Sequence, residues 1–326
     1  MALDRRRFLA LSAVSAAAST LPAFALPEKT TPAPGALRLV FFTDTHIQPE
    51  LRASEGTAQA LAKIKSLKPD LCIQGGDHAM DLAAVPRDRS LMLLDLYQKT
   101  EQSLDGIQVH HVIGNHDVFG RDPASNVPTS DPLYGKKAFE QRFHSKTYRS
   151  FDRAGYHFIL LDSIQITPER QFDAMIDPPQ LAWLTQDLAS TPAGTPIVIA
   201  CHVPIVSAAP QYTPTDDKAA KASAYQALTN LHGFLLGNAF AVLEVLRGHN
   251  VVAVLQGHTH INEVVHWQGV PFITSGAVCG NWWHGSRWGT PEGFTVLELA
   301  GGKAQWHYET YGWTSQSPSP DPYASS

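Results

Sequence analysis

Short apolar runs recur along this chain, and each of the clearest ones is followed at once by polar residues. Runs of about four to eight apolar residues are typical of strands buried in a sheet. We therefore predict strands at 37–42, 70–74, 107–113, 195–200 and 250–256. Open α/β sheets build their sites at the carboxyl ends of their strands. The polar residues that follow these runs are therefore expected to meet at one edge of a sheet.

Apolar residues at helical spacing predict helices between several of these strands. Ser54 is expected to cap the first helix, and Asp177 a later helix whose first turn holds two prolines. The alternation of strand, helix and strand is the pattern of a βαβ unit and predicts an α/β fold. The first helix is predicted at 54–67 and others at 91–104 and 225–247, where the last is one helix or a helix pair broken at Gly233 and Gly237.

The remaining strand-like runs predict a hairpin and a second sheet. Strands at 147–151 and 156–161 flank a short turn, which is the pattern of an antiparallel hairpin. Two stretches rich in proline and polar residues, 119–134 and 203–221, are predicted to be loops beside the site. Short strands of a second sheet are predicted at 263–267, 271–275, 295–299 and 304–308.

Residues 1–25 have the pattern of an export signal. Several arginines precede an uncharged apolar run, and Ala23-Phe24-Ala25 is a small-x-small cleavage pattern. The arginines resemble a twin-arginine signal, which would make that export machinery a partner in transit, and an ordinary Sec signal is the alternative. The mature chain is predicted to be periplasmic or secreted, without a stable membrane anchor, with a leader at 26–35, one domain at 36–314 and a flexible tail at 315–326.

Composition and charge narrow the range of functions. The chain has 326 residues with 44% hydrophobic content, enough for a large core, and its net charge of -5 argues against a nucleic-acid polymer as partner. The three cysteines form neither a disulfide framework nor a Cys-x-x-Cys zinc spacing. The 15 histidines are many for this length and favour a metal site. The oligomeric state stays open.

The five strand ends carry the candidate chemistry. Each delivers Asp, Asn or His, and nitrogen and oxygen ligands without thiolate suit divalent Mn, Fe, Zn or similar ions. Two such ions can polarise a phosphoryl group and activate water, so one carboxylate would face both ions. The segments are Thr43-Asp44-Thr45-His46, Gly75-Gly76-Asp77-His78, Gly114-Asn115-His116-Asp117, Cys201-His202 and Gly257-His258-Thr259-His260.

Taken in this order, the segments resemble the motifs of the calcineurin-like metallophosphoesterase family, over residues 37 to about 300. The resemblance implies a four-layer αββα sandwich, made of two mixed sheets flanked by helices, and a centre of two divalent metal ions. It implies that His116 donates a proton to the leaving group or stabilises the transition state, and that Asp117 orients the His116 imidazole. The implied ligands are Asp77 as the bridge, Asp44, His46 and His260 on one ion, and Asn115, His202 and His258 on the other.

Further motifs point to one branch of that family. Ile159-Leu160-Leu161-Asp162-Ser163 and the segment 179–184 are similar to bacterial cyclic-nucleotide phosphodiesterase-like enzymes. Met80 stands where the family commonly has Asp or Asn, and where purple acid phosphatases have Tyr, so an Fe(III)-tyrosinate centre is not expected. We predict an exported hydrolase of a small phosphodiester. The alternatives are a phosphomonoesterase or pyrophosphatase acting on nucleotide or lipid head groups, and a non-catalytic metal-binding scaffold.

A loop with three tryptophans, 281–289, is a second candidate for ligand contact. Its rings could stack on a nucleobase or another flat group, and Arg287 could grip a phosphate. The alternative is a loop that packs its own tryptophans. We predict substrate contacts from Trp283, His284 and Arg287, and from His78 beside the bridging carboxylate. For His78, a place behind the ligands and a simple turn role are equally open.

Overall fold

Strands form at nearly all of the predicted apolar runs. A computed structural model describes residues 36–212, 233–321 and 323. Its helices are α1 (Ala53–Ser66), α2 (Arg87–Glu101), α3 (Lys137–Phe143), α4 (Pro178–Ser190), α5 (Ala209–Tyr212) and α6 (Ala239–Leu246). Its strands are β1 (Leu37–Phe42), β2 (Leu71–Gln74), β3 (Val109–His111), β4 (Arg149–Arg153), β5 (Tyr156–Leu160), β6 (Ile164–Ile166), β7 (Phe172–Ala174), β8 (Ile197–Ala200), β9 (Val251–Gln256), β10 (Glu263–Trp267), β11 (Val270–Thr274), β12 (Gly293–Ala300) and β13 (Lys303–Thr310).

Two mixed sheets contain most of these strands. The first has the order β13-β12-β1-β2-β3, in which β1, β2 and β3 are parallel and the other two strands pair antiparallel. The second has the order β10-β11-β9-β8-β5-β4, in which the four inner strands are parallel and both edge strands are antiparallel. β6 and β7 form a small separate pair.

The four strands near the carboxyl terminus do not form a sheet of their own, and that prediction is wrong. β10 and β11 extend the second sheet beside β9, whereas β12 and β13 extend the first sheet beside β1. β1 is buried along nearly its whole length, so the polar groups on both of its edges need partners. β2 satisfies one edge, and β12 satisfies the other with Leu37 opposite Leu299.

Three apolar clusters explain the layers. One lies between the sheets and joins Leu39 and Phe41 of the first sheet to Leu160 and Val198 of the second. Another covers the outer face of the first sheet with residues of α1, and a third covers the outer face of the second sheet with residues of α4 and α6. The predicted αββα sandwich of two mixed sheets flanked by helices is therefore confirmed.

Helix boundaries differ from the prediction in several places. Ser54 lies inside α1 rather than capping it, because its hydroxyl donates to the Gln48 carbonyl at 3.1 Å. Asp177 caps α4 as predicted and accepts from the Gln180 amide at 2.8 Å. The short helix α3 and the β6–β7 pair are absent from the prediction. Within the described part of 225–247, helix covers only α6.

Several predicted segments lie outside the described residues. They are the export signal at 1–25, the leader at 26–35 and parts of the 203–221 loop and the 225–247 helix. Among the residues that are described, no helix combines the length and the apolar character that crossing a membrane requires.

The described part of the predicted tail packs against the loop with three tryptophans. The Asp321 carboxylate accepts hydrogen bonds from the Ser286 hydroxyl and the Gly289 amide. The Ser319 amide donates to the His284 carbonyl at 2.8 Å. These bonds join the tail to the same loop that lies beside the predicted metal ligands.

Candidate metal centre

The carboxyl ends of strands from both sheets meet at one place. β1, β2 and the turn after β3 contribute from the first sheet, and the segments after β8 and β9 contribute from the second. Two groups of possible ligands form there, each with atoms within 4.8 Å of one another, and the Asp77 carboxylate belongs to both. The groups are Asp44, His46 and Asp77, and Asp77, His202 and His258.

The distances between these atoms fit ligands that share an ion. Asp77 Oδ2 lies 3.5 Å from His46 Nε2 and 3.2 Å from His202 Nε2. Asp44 Oδ1 lies 3.2 Å from His260 Nε2. Two ligands that are each about 2.1 Å from an ion, at right angles, are about 3 Å apart. Asn115 completes the second group, since its Oδ1 lies 3.1 Å from His202 Nε2.

Each of the four candidate histidine ligands is oriented by a main-chain carbonyl. One ring nitrogen must donate to that carbonyl, so the other nitrogen is the one that a metal can bind in place of a proton. The pairs are His46 Nδ1 with Met80 O at 3.3 Å, His202 Nδ1 with Gly75 O at 2.9 Å, His258 Nε2 with Gly233 O at 2.8 Å and His260 Nδ1 with Gly280 O at 2.6 Å.

Two observations indicate that this arrangement is built for cations. Asp44 Oδ1 and His46 Nε2 are buried, and among the described residues neither has a hydrogen-bond partner. Leaving such groups unpaired costs about 1–3 kcal/mol each, and a metal ion would remove that cost. In addition, the candidate ligands with positive φ are Asp44 (54°), His46 (38°), Asp77 (55°), His258 (71°) and His260 (61°). Such backbone strain clusters at ligand clamps.

Two ionised carboxylates at the site also suit a cation. Burial works to raise the pKa of Asp77, but the neighbouring His202 and His116 outweigh it and lower that pKa. For Asp44 the same opposition, mainly from His260, leaves the pKa well below its usual range. Both carboxylates are therefore ionised at neutral pH. Burial lowers the pKa of His258 to about 4, which keeps its imidazole neutral and able to bind a metal.

Cys279 lies behind this centre rather than in it. Its sulfur is 3.7 Å from His260 Nδ1, the nitrogen that donates to Gly280 O, while His260 Nε2 faces Asp44. Burial raises the pKa of the Cys279 thiol, so the neutral thiol is favoured. His46, His260 and Cys279 form a third group of possible ligands by distance. The orientation of His260 directs its free nitrogen away from that group.

His116 faces Asp81, and not Asp117 as the family resemblance implies. The His116 Nδ1 atom lies 3.5 Å from Asp81 Oδ1, and the His116 amide donates to Asp77 Oδ1 at 2.8 Å. Burial works to lower the pKa of His116, but Asp77 and Asp81 outweigh it and raise that pKa. Asp81 follows Met80 directly, so the carboxylate that the motif lacks at Met80 is supplied one residue later.

Asp117 instead organises the turn that carries the bridging carboxylate. Its two oxygens accept hydrogen bonds at 2.9 Å from the amides of Asp77, His78 and Gly114. Asp117 Oδ2 also lies 2.8 Å from His78 Nδ1. The short turn after β3 directs Asp117 inward to these donors, which removes it from the His116 imidazole.

His78 is buried behind the ligands and cannot touch a substrate. Its side chain is fully enclosed, and its Nε2 lies 3.1 Å from His111 Nδ1. His78 therefore extends the hydrogen bonds of Asp117 inward. Of the roles that the sequence leaves open, the place behind the ligands is the one that the geometry gives, and the predicted substrate contact is corrected.

The loop with three tryptophans divides its side chains between the core and the site. Trp283 is fully buried, and its Nε1 donates to the His46 carbonyl at 3.0 Å, so it is a core residue and not a substrate contact. His284 Nδ1 donates to the Ser317 carbonyl. Arg287 lies 3.9 Å over the Trp288 ring and donates to Asn281, so its charge is engaged within the loop.

Trp282 is the residue of this loop that faces the candidate ligands, and the sequence alone does not single it out. Its ring centroid lies 4.0 Å from that of His46, 5.1 Å from that of His260 and 5.2 Å from that of His116. Adjacent tryptophans in a turn have no periodicity that would show which one faces the site. The predicted contacts therefore name Trp283 in place of its neighbour.

Comparisons with known proteins agree with this geometry. A family profile described as calcineurin-like phosphoesterase matches residues 37–262. A dimetal phosphatase from Danio rerio has a TM-score of 0.57 at 17% identity, over 86% of this chain and 98% of its own. A purple acid phosphatase from seeds of yellow lupin (Lupinus luteus) has a TM-score of 0.55 at 14% identity, over 86% and 53% of the two chains. At these identities the likeness shows the fold alone. No curated protein matches this chain.

Proposed function

The chain belongs to the calcineurin-like phosphoesterase family, and from that premise we propose that it is a two-metal hydrolase of a small phosphodiester, cyclic-nucleotide-like or related. The family normally uses a centre of two metal ions. The observation that carries the proposal is the Asp77 carboxylate, which is shared by two groups of ligand atoms.

The proposed ligand sets follow from which atoms face each other. Asp44, His46 and His260 would hold one ion with Asp77, and Asn115, His202 and His258 would hold the other. When bound, two divalent ions polarise a phosphoryl oxygen and lower the pKa of a water molecule. The carbonyl partners of the four histidines fix which ring nitrogen is available, so the site needs little rearrangement to bind the ions.

His116 is proposed to supply the proton that the leaving group needs. Hydrolysis joins phosphorus to a water oxygen, which releases a proton to the solvent, and breaks the bond to the leaving oxygen, which must gain a proton. His116 lies beside the ligands, its main chain is tied to Asp77, and its Nδ1 faces Asp81. The Asp81 carboxylate favours the protonated imidazole that a general acid requires.

The test is hydrolysis of bis-p-nitrophenyl phosphate against p-nitrophenyl phosphate by metal-free protein, with Mn, Fe(II), Zn, Ni and Mg added back separately. We expect two bound ions per chain and metal-dependent turnover that favours the diester. Turnover of the monoester alone would replace the diester with a monoester substrate, as the names of the two phosphatase neighbours suggest. Turnover without any metal would contradict the proposal.

A pair of variants locates the chemistry. Asp77→Asn should bind fewer ions and lose nearly all turnover while keeping the fold, because the shared carboxylate becomes a neutral amide. Asp88→Asn, an exposed change in the first turn of α2, is the matched control and should keep both ions and activity. Wild-type activity in Asp77→Asn would show that this carboxylate does not hold the ions.

The cellular setting remains a proposal from the sequence. Export by the twin-arginine machinery and cleavage near Ala25 would place the enzyme in the periplasm or outside the cell, where it would meet small phosphate esters. Fractionation of cells that express the full chain, compared with a chain in which Arg5 and Arg6 are changed to Lys, tests that location.

A further inference from the structure

Trp282 occupies a position that neither the metal ligands nor the core requires. Its side chain is partly exposed, and its ring packs beside three imidazoles of the centre, those of His46, His116 and His260. A residue that served only to fill the core would be enclosed, as the neighbouring Trp283 is.

The turn that carries Trp282 is anchored from several directions. Trp283 reaches into the core, donates to the His46 carbonyl and packs edge-on to Trp313 with 5.6 Å between ring centroids. The Ser315 hydroxyl donates to the Trp283 carbonyl at 2.7 Å, and the Cys279 amide donates to the Asp44 carbonyl at 3.1 Å. The turn is therefore tied both to the core and to the segment that carries two candidate ligands.

The backbone of this turn is strained in order to place the ring. Trp282 has a φ of 57° and Trp283 a φ of 71°, in the left-handed region that bulky residues rarely adopt. Such strain persists only where the surroundings determine the conformation, and it clusters at functional sites. Because contacts with the core and with Ser315 hold Trp283, the adjacent Trp282 is held with one face of its ring toward the site.

The position of Trp282 relative to His116 links it to the leaving group. An ester oxygen that takes a proton from His116 must lie within hydrogen-bond distance, about 3 Å, of the imidazole. The Trp282 and His116 ring centroids are 5.2 Å apart. A ring attached to that oxygen and turned toward Trp282 can reach the separation of about 4.5–7 Å between centroids at which aromatic rings pack.

We propose that Trp282 is a specificity-determining residue that forms one wall of the leaving-group pocket and selects esters whose leaving alcohol is flat and aromatic. This inference rests on the proposed two-metal hydrolysis. It assigns the ring to substrate choice rather than to metal binding or to chemistry. Both interpretations of the loop from its sequence then hold in part, since Trp283 packs in the core and Trp282 meets the ligand.

The test compares two methyl phosphodiesters that differ in the shape of the leaving group. Phenol and hexafluoroisopropanol are leaving groups of similar acidity, but only phenol is flat. With metal-loaded wild type we expect kcat/KM to favour the phenyl ester by about tenfold, the scale of an aromatic pair. In Trp282→Ala, kcat/KM for the phenyl ester should fall while kcat/KM for the other ester is unchanged, so most of the preference is lost. Trp282→Phe should keep part of the preference, and both variants should keep the metal content of the wild type.

The control variant is Trp267→Ala. Trp267 is 49% exposed at the end of β10, paired with Val270 and away from the strand ends that carry the site. It should leave the preference and both rates unchanged. An equal loss on both esters in Trp282→Ala, or an unchanged preference for phenyl, would overturn the inference while the hydrolase itself stands.

A binding measurement separates this inference from the proposed function. Calorimetry of phenylphosphonate and methylphosphonate with the metal-loaded protein requires no turnover. Binding of the phenyl compound that is about tenfold tighter, with the difference lost in Trp282→Ala, would support the role of Trp282. If neither ester were hydrolysed, that result would count against the proposed hydrolase but not against this role. Equal affinities for both compounds in the wild type would overturn the role of Trp282.

Discussion

Asp81 faces the candidate general acid, His116. The effect of Asp81 on kcat should depend on how basic the leaving group is, because a more basic leaving group must be protonated to leave. Asp81 lies 3.5 Å from His116 Nδ1, and two main-chain amides, those of Ala83 and Ala84, hold its carboxylate. Asp81→Asn removes the charge that favours the protonated imidazole. We expect kcat to fall by about tenfold or more for an alkyl ester, as loss of part of a general acid's effect should produce. The fall should be much smaller for a p-nitrophenyl ester, because p-nitrophenolate leaves without a proton.

The comparison of leaving groups makes this prediction specific to proton transfer. A change that merely disturbed the metal centre would slow both esters alike, so metal content is measured in parallel. Asp88→Asn again serves as the matched surface control. Equal losses on the two esters would mean that Asp81 has a structural role at the turn and not a role in protonation.

At the scale of elements, α1 and the turn with Trp282 depend on each other through one glycine. A Cβ atom at Gly56 would lie 2.2 Å from Trp283 Cζ3, and Trp283 is fully buried. Gly56→Ala should therefore lower the free energy of unfolding by about 1–3 kcal/mol through overpacking, although alanine is the better helix former. Urea denaturation measures the change.

The control for Gly56→Ala is the reverse exchange on the exposed face of the same helix. Ala58→Gly should cost about 1 kcal/mol, the ordinary difference in helix propensity. If packing against Trp283 governs position 56, both variants are destabilised although they exchange the same two residues in opposite directions. A more stable Gly56→Ala protein would show that Trp283 can move, and would weaken the case for a rigid turn.

The hairpin of β4 and β5 is joined to α4 by an imidazole held between two carboxylates. His157 Nδ1 lies 2.7 Å from Asp152 and Nε2 lies 2.8 Å from Asp187, so both nitrogens must carry protons to donate. Burial works to lower the pKa of His157, but Asp187 and Asp152 outweigh it and raise it above 6.5. The charged form is therefore the one that the fold stabilises.

The raised pKa gives a signed prediction for stability against pH. The contribution of His157 should be fully present below about pH 6.5, the ordinary histidine pKa, and should be lost as the pH rises through the higher pKa of the folded state. At pH 6 we expect His157→Gln to be less stable than the wild type by about 1–2 kcal/mol. The loss is modest because solvent screens the pair with the exposed Asp152. The gap should narrow above that pKa. A gap that stays constant from pH 5.5 to 9 would contradict the prediction.

At the scale of the whole molecule, the sequence predicts the layers and the ligand-bearing edge but not all of the strand pairing. Apolar runs followed by Asp, Asn or His mark five strand ends, so the candidate ligands could be assigned to one edge without coordinates. The pairing of β12 with β1 joins residues that are distant in the sequence, such as Leu37 and Leu299. A hydrophobic pattern shows which faces are buried, but it does not show which partner lies alongside.

Sequence reasoning misplaces or misses several site residues for one physical reason. Asp81 lies in a loop, Asp117 in the short 3-10 helix after β3, and both tryptophans, Trp282 and Trp283, in a turn. In none of these does a period of 2 or 3.6 residues assign a side chain to a face. Asp117 follows His116 directly and was the natural candidate to orient it. The turn after β3 instead directs Asp117 to amides of the Asp77 segment, and Asp81 reaches His116 from the facing loop. Local geometry, rather than motif order, decides these contacts.

Because the candidate ligands come from both sheets, the ions should also hold the sandwich together. Asp44, His46, Asp77 and Asn115 follow strands of the first sheet, and His202, His258 and His260 follow strands of the second. Without ions, the neighbouring histidines are the groups that balance the buried charges of Asp44 and Asp77. An ion at 100 times its dissociation constant adds about 2.7 kcal/mol of stability per site.

Calorimetry should therefore show the Tm of metal-free protein rising by roughly 5 °C or more when ions are restored, with the 2–4 °C per kcal/mol expected of a domain of this size. Asp77→Asn should show little of that rise, because it lacks the carboxylate common to both groups. Equal Tm values with and without bound ions would mean that the centre forms no link between the sheets, even if it hydrolyses its ester.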